Sequence, residues 1–350
     1  MKVLLTGHEG YLGAVIAGVL TGAGHEVTGV DAGWFADCTF GPQPSVVEGL
    51  RRDIRDLRTR DLRGFDAVVH MAALSNDPLG DLNPLLTYEI NHRASVGLAE
   101  AAKQAGVDRF VFSSSCSLYG AAKGSDLLTE EAPFNPVTPY GESKIRVEQE
   151  LTRLADDDFS PVYLRNATAY GVSPKLRGDL MVNNLVAYAL TTGEVLIKSD
   201  GTPWRPLVHA EDIARAVLAV LIAPRERIHD EAFNVGRTEE NYQVRDVAEM
   251  VAQAVPGSRI EYAPGAGSDA RDYRVDFTKI VRQLPEFEPA WTVDRGIGQL
   301  VDAFRQHGLT AEEFLSPRYL RIATVRGHLE AGRLDQHLRW QVPAPVVGSR

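Results

Sequence analysis

Tyr140-Gly141-Glu142-Ser143-Lys144 sets a phenol and an ammonium four residues apart, and upstream Ser113-Ser114-Ser115 closes the apolar run Phe110-Val111-Phe112. On a helix, positions four apart share a face, so Lys144 can lie beside the Tyr140 phenol. A unit charge about 4 Å away, at an effective dielectric near 20, is worth roughly 4 kcal/mol before desolvation opposes it. That favours phenolate. A tyrosine so prepared can accept a proton from a hydroxyl as hydride leaves the same carbon, with Ser115 hydrogen-bonded to that oxygen. Taken singly, the phenol reads as a helix-start aromatic, the lysine as a solvated cation and the serines as a strand-end loop. Hydride needs an acceptor, and the chain's first residues offer a place for one.

The apolar run Met1 to Thr6 ends on Gly7-His8-Glu9-Gly10-Tyr11-Leu12-Gly13, after which apolar spacing turns helical. This is the strand, turn and helix start of a dinucleotide site. Gly7 permits the sharp turn, Gly10 lets backbone N–H groups approach a pyrophosphate, and Gly13 lets the helix pack on the strand. Anions sit well on such a helix N-terminus. A generic strand-turn-helix loop reads the same way from this segment alone. The next strand ends at Asp31, eighteen residues after Gly13. An acid there binds the adenosine ribose hydroxyls and repels a 2'-phosphate, which predicts NAD over NADP. Asp31 also suits a loop or cap residue.

The elements that must position these groups are strands at 2–6, 26–31, 67–70, 109–113 and 162–165, and helical patterns at 13–22, 85–105 and 141–154. The alternation predicts an α/β fold, a Rossmann-type doubly wound parallel sheet with a smaller C-terminal substrate-binding lobe. Ligands on such sheets bind beyond the carboxyl ends of the strands, where Gly7, Asp31, Met71-Ala72-Ala73, Ser113 to Ser117 and Asn166 to Gly171 all fall. Residues 1–172 form the cofactor-binding domain, with 207–235 returning to it. Residues 173–206 and 236–340 form the second lobe and a helical extension of unassigned purpose, and 341–350 a disordered tail. Arg51 to Arg63, alternating with Asp53, Asp56 and Asp61, reads as a solvated helix face.

A chain that is 44% hydrophobic, with formal charge -10 and pI near 5.4, suits a soluble enzyme with a large core. The acidic balance argues against a nucleic-acid binder, while an anionic small substrate can still be held by a few placed arginines. Two cysteines, Cys38 and Cys116, make neither a disulfide framework nor a metal cluster, which fits a reducing cytosol. The N-terminal apolar run is short and flows into the glycine loop, and no stretch approaches eighteen apolar residues. The expected protein is cytoplasmic and does not span a membrane.

With these residues in order, the chain resembles an extended short-chain dehydrogenase/reductase of the NAD-dependent epimerase/dehydratase family that acts on nucleotide sugars, over roughly residues 1–340. The resemblance takes in Asp53-Ile54 as an adenine-contacting pair, His70-Met71-Ala72-Ala73 as the loop beside the cofactor, and Asn91 on the following helix. It extends to Asp200-Gly201-Thr202 through Arg205, to Val208-His209 and Asp212, and to Asn234-Val235-Gly236. It implies bound NAD, with Ser113, Tyr140 and Lys144 against it, and a nucleotide-diphosphate sugar held by Ser75, Ser115, Ser117, Thr168, Asn184, Arg205 and Arg271. A fork-shaped guanidinium suits a diphosphate. Arg205 and Arg271 also fit surface cations, and Asn183 and Asn184 helix-packing residues. It further implies a homodimer joined through the helices at 85–105 and 141–154, although Leu98, Ala101, Ala102, Val147 and Leu151 would serve an internal core equally well.

Departures from the family pattern narrow the reaction. Dehydratases of the family place an Asp-Glu pair just after the active-site hydroxyl, and decarboxylases a Glu two residues after it; this chain has Cys116 and Ser117. Cys116 reads as a small filler rather than a nucleophile. Thr168 stands where many 4-epimerases have Asn. The expectation is an NAD-dependent nucleotide-sugar epimerase that oxidises C4 transiently. The alternatives are a 4-ketoreductase, a dehydratase with unconventional groups, and a non-catalytic NAD(H) sensor.

Overall fold

Val3, Leu4 and Leu5 are all buried although neighbours along a strand face opposite ways, so the first strand is covered on both sides. It lies inside a seven-stranded parallel sheet. The computed structural model describes residues 1–42, 47–75, 83–121, 126–265, 267 and 271–341. The sheet is built from β1 (Lys2–Thr6), β2 (Glu26–Asp31), β3 (Gly49–Arg51), β4 (Ala67–His70), β5 (Arg109–Ser115), β7 (Ser160–Asn166) and β11 (Glu231–Val235), in the order β3-β2-β1-β4-β5-β7-β11. The order reverses between β1 and β4, which opens the ligand crevice there. Helices α1 (Tyr11–Gly22) and α5 (Ala210–Ile222) cover one face, and α2 (Ala94–Ala105) and α3 (Pro139–Leu154) the other.

A second lobe packs at the carboxyl edge. Its sheets pair β8 (Thr168–Tyr170), β10 (Trp204–His209) and β12 (Asn241–Gln243), and separately β9 (Glu194–Ile197) with β13 (Arg259–Tyr262). Short β6 (Leu127–Leu128) pairs β14 (Arg274–Val275) between the lobes. Helices α4 (Met181–Thr192), α6 (Val244–Ala254) and α7 (Val293–Gln306) enclose a separate core around Leu185, Val247, Ile297 and Phe304.

The elements depart from the sequence expectation at two places. Residues 85–105 are not one α-helix: a turn at Pro84–Thr87 passes through a π-helical stretch, Tyr88–Arg93, before α2. The wider turn coincides with Tyr88 bonding Glu142 at 2.6 Å and His92 bonding Glu150 at 2.5 Å, both on α3. Residues 51–63 form no helix face, because Asp53 accepts from the Arg55 backbone at 2.9 Å and pairs with its guanidinium at 2.6 Å, ending in two short 3-10 turns. The C-terminal extension is a 3-10 turn (Pro317–Tyr319) and α8 (Arg321–Glu330) that runs back across the loop after β2. Of the expected disordered tail, Gln341 donates to the Arg333 carbonyl at 2.9 Å, and residues 342–350 lie outside the described residues.

Candidate active site

Where β1 ends, Gly7 turns with φ +75°, and a Cβ there would lie 2.9 Å from the Ala72 nitrogen. At Gly13 it would lie 1.9 Å from the Gly7 carbonyl oxygen, so the helix meets the turn only without a side chain. Helix α1 has no side-chain cap and no acid in its first turn. Its leading N–H groups are left for an anion, as a bound diphosphate requires. The Tyr11 hydroxyl donates to the Gly171 carbonyl at 2.8 Å and Ser173 donates to the Tyr11 carbonyl at 2.7 Å, stapling the glycine loop to the second lobe. Asp31 accepts from Gly33 N at 2.8 Å and Glu9 N at 3.2 Å, so it orders its loop while facing the cavity. Burial pushes its carboxyl pKa up, against those backbone bonds.

The loop after β4 is held from behind by a hydrogen-bond chain. Met71 and Ala72 N–H groups donate to Thr6 Oγ1, each at 3.2 Å, and Thr6 bonds His70 Nδ1 at 2.7 Å. His70 Nε2 bonds Ser95 Oγ at 2.8 Å, and Ser95 donates to the Asn91 carbonyl at 2.7 Å. Because Ser95 gives its proton to Asn91, His70 must donate to Ser95 from Nε2 and accept at Nδ1, a neutral tautomer. Asn91 clamps the Leu74 backbone at both N–H and C=O, at 2.7 and 3.0 Å. The structure thus puts Asn91 behind the cavity wall, not on it. Burial, with Lys144 nearby, drops the His70 pKa to about 3. The unfolded chain therefore binds a proton between pH 6.5 and 3 that the native state refuses, and stability falls as pH falls through that window. At pH 5 the deficit is about 2 kcal/mol. Urea titrations at pH 7.5 and 5 should show this extra loss in wild type and not in His70→Gln.

Tyr140 and Lys144 come together on α3, whose first turn is set by Pro139 and by Thr138 accepting from Gly141 N at 3.2 Å. Lys144 Nζ donates to the Ser113 carbonyl at 2.6 Å and lies 5.5 Å from the Tyr140 ring centroid. Burial draws the Lys144 pKa down to about 7, with Glu148 opposing. Ser115 Oγ accepts from Ser117 N at 3.1 Å, which fixes it at the mouth of β5. Ser117 Oγ and Asn166 Oδ1 are buried on the cavity wall without hydrogen-bond partners among the described residues. Such orphans are what a polar ligand would satisfy.

A polar network missed by motif reading ties β5 to α3. Buried Glu148 accepts from Ser114 Oγ and pairs with buried Arg165 at 2.7 Å. Arg165 also donates to Tyr119 Oη at 3.2 Å and to the Glu130 carbonyl at 2.8 Å. Cys116 donates to the Arg165 carbonyl at 3.1 Å, and burial pushes its thiol well above the usual range, so it is a filler and not a nucleophile.

Gly7, Asp31, Met71, Ser115, Tyr140 and Lys144 face one cavity of about 920 Å³, with the His70 chain and the Glu148–Arg165 network behind its wall. Of the expected ligand-binding residues, every one except Asn91 lines it, including Leu12, Ile54, Ala73, Ser75, Thr168, Arg205 and Arg271. Asp53 is on the wall with its carboxylate engaged by Arg55. Asn184 bonds the Gly178 carbonyl at 2.7 Å, whereas Asn183 turns inward to Gly171 and Arg177 backbone. The sequence reading passed over Trp34, Phe35, Arg177, Asp179, Lys198 and Arg321, which also line the cavity. Arg177 pairs bidentately with Asp179 at 2.9 and 3.0 Å and reaches Ser75 Oγ at 3.3 Å. Only that Arg-x-Asp spacing could have hinted at the pair. Among the described residues, no His/Cys/Asp/Glu group is placed to hold a metal, and no helix is long and apolar enough to cross a membrane.

A parallel sheet with a glycine turn at its switch point and a Tyr-Lys pair at the same edge defines an NAD-dependent enzyme of the extended short-chain dehydrogenase/reductase class. Residues 3–236 match the NAD dependent epimerase/dehydratase family, and the chain belongs to it. A UDP-glucose 4-epimerase of Lactobacillus helveticus is 31% identical over 304 residues, covering 80% of this chain and 89% of that protein. Among solved structures, MoeE5 in complex with UDP-glucuronic acid and NAD is 27% identical with a TM-score of 0.76, covering 87% of this chain and 99% of that one. The Thermus thermophilus UDP-glucose 4-epimerase complex with NAD is also 27% identical, with a TM-score of 0.74 over 87% and 99%.

Proposed function

We propose that the protein inverts C4 of a nucleotide-diphosphate sugar. The observation that carries this reading is at the reacting end, where Cys116 and Ser117 occupy the positions after Ser115 and, among the described residues, Asp179 is locked to Arg177 and Asp53 to Arg55. A dehydratase must also move a proton at a neighbouring carbon, and the Tyr140 phenol already serves the hydroxyl. Bound NAD supplies the hydride acceptor and then the donor. Tyr140 takes the C4 hydroxyl proton as hydride leaves that carbon, Ser115 bonds the same oxygen, and Lys144 stabilises the phenolate. After the ketone turns over, Tyr140 returns the proton to the oxygen of the inverted centre. Arg205, Arg271 and Asn184 face the diphosphate and nucleoside end.

A ketoreductase would use the same catalytic groups but must exchange its cofactor every turnover. Protein as purified, given UDP-glucose without added NAD(H), should form the C4 epimer. Turnover only with NADH and a 4-keto sugar would replace this reading with the reductase.

A homodimer joined along the outer surfaces of the Tyr88–Arg93 stretch and α3 belongs to the same proposal. Leu98, Ala102, Val147 and Leu151 are buried within the subunit, so the interface must use the outward-facing residues instead. Sedimentation as a monomer at micromolar concentration would contradict it. Two buried free cysteines suit the cytoplasm.

A further inference from the structure

Arg321 opens α8 in the C-terminal extension, yet it lines the same cavity as Gly7, Asp31 and Tyr140 and is 2% exposed. Its Nη2 donates to the Lys175 carbonyl at 2.8 Å, and the guanidinium sits 4.2 Å from the Phe35 ring centroid. Its Nη1 is buried with no hydrogen-bond partner, and among the described residues no carboxylate forms an ion pair with it. Burial, with the like charge of neighbouring Arg177 in the same direction, brings the Arg321 pKa down to about 10. Arg177 is already paired with Asp179, so the unfilled N–H of the buried Arg321 guanidinium beside the cavity is the group that an anionic ligand oxygen would satisfy.

The extension's anchors indicate which anion. Arg318 donates to the Thr39 carbonyl at 2.6 Å, His328 bonds the Trp34 carbonyl at 2.8 Å, and Trp340 donates to the Ala32 carbonyl at 2.7 Å. Arg55 donates to the His337 carbonyl at 2.9 Å. Residues 317–340 are thus strapped onto the loop that follows Asp31, on the dinucleotide side of the cavity.

We propose that Arg321 is a cofactor-binding residue, held in place by this strap, that donates its unpaired Nη1 to the diphosphate of NAD alongside the N–H groups of α1. The strap closes the adenosine side and slows cofactor release. This inference rests on NAD use alone and not on the C4 chemistry.

The test is calorimetric titration of NAD-stripped full-length protein with NAD, ADP-ribose and UDP. In Arg321→Met, Kd for NAD and ADP-ribose should rise about tenfold to a hundredfold, the range for a buried charge-assisted hydrogen bond, while Kd for UDP stays unchanged. Arg321→Lys should fall between. Unchanged NAD affinity overturns the proposal, and so does a loss confined to UDP, which would put the guanidinium on the sugar nucleotide. If Arg321→Met fails to fold, Arg321→Lys decides: NAD affinity within twofold of wild type overturns it.

Discussion

Tyr140→Phe lowers kcat at least about a hundredfold, the lower end for a lost acid-base group, and leaves NAD content and unfolding midpoint near those of wild type. The substitution removes one oxygen. Lys144 keeps its place because it donates to the Ser113 carbonyl, and α3 keeps its start because Thr138 and Pro139 set it. Loss of kcat with retained cofactor separates a chemical role from a structural one. Lys144→Met tests the same centre differently, since it removes both the cation and the bond that ties α3 to the end of β5. A Tyr140→Phe enzyme within a few-fold of wild type would remove the phenol from the mechanism.

Arg165→Met carries the largest expected cost in stability. Arg165 and Glu148 are both buried, so removing the guanidinium leaves Glu148, among the described residues, with the Ser114 hydroxyl as its remaining donor. Breaking a buried pair from one side typically costs about 3–5 kcal/mol, whereas replacing both members with apolar groups is often close to neutral. Arg165→Met should therefore lower the melting temperature by about 5 °C. The double variant Arg165→Met with Glu148→Met should recover most of it. Because the pair joins β7 to α3 beneath Ser115 and Tyr140, the single variant should also lose turnover before it unfolds. A single-variant cost under about 1 kcal/mol would show that the pair is not buried as described.

The parallel sheet and the two-part reacting edge were legible because each has a local cause. Gly7 and Gly13 are required by backbone contacts within one turn, and Tyr140 and Lys144 share a face by helical period. Asp31 was placed by its distance from the fingerprint, and it faces the cavity while also ordering its own loop, so both roles considered for it fit one side chain. What escaped depends on contacts distant in sequence. Arg177 and Arg321 reach one cavity from segments more than a hundred residues apart, and neither carries a local signal of where it will fold. The π-helical stretch and the short turns at 54–61 were misread because charge alternation and apolar spacing fix neither the number of residues per turn nor side-chain bonds back to the backbone. Glu148, which belongs to none of the motifs, is the buried partner of Arg165.

Direct return of hydride at C4 is the central claim, and NMR of the sugar during turnover in deuterated buffer, with no added cofactor, tests it most directly. The account predicts a C4 epimer of the supplied nucleotide sugar with no deuterium at C3, C4 or C5. Deuterium at C3 or C5, or a deoxy-keto product, would contradict it and place a proton abstraction at a neighbouring carbon.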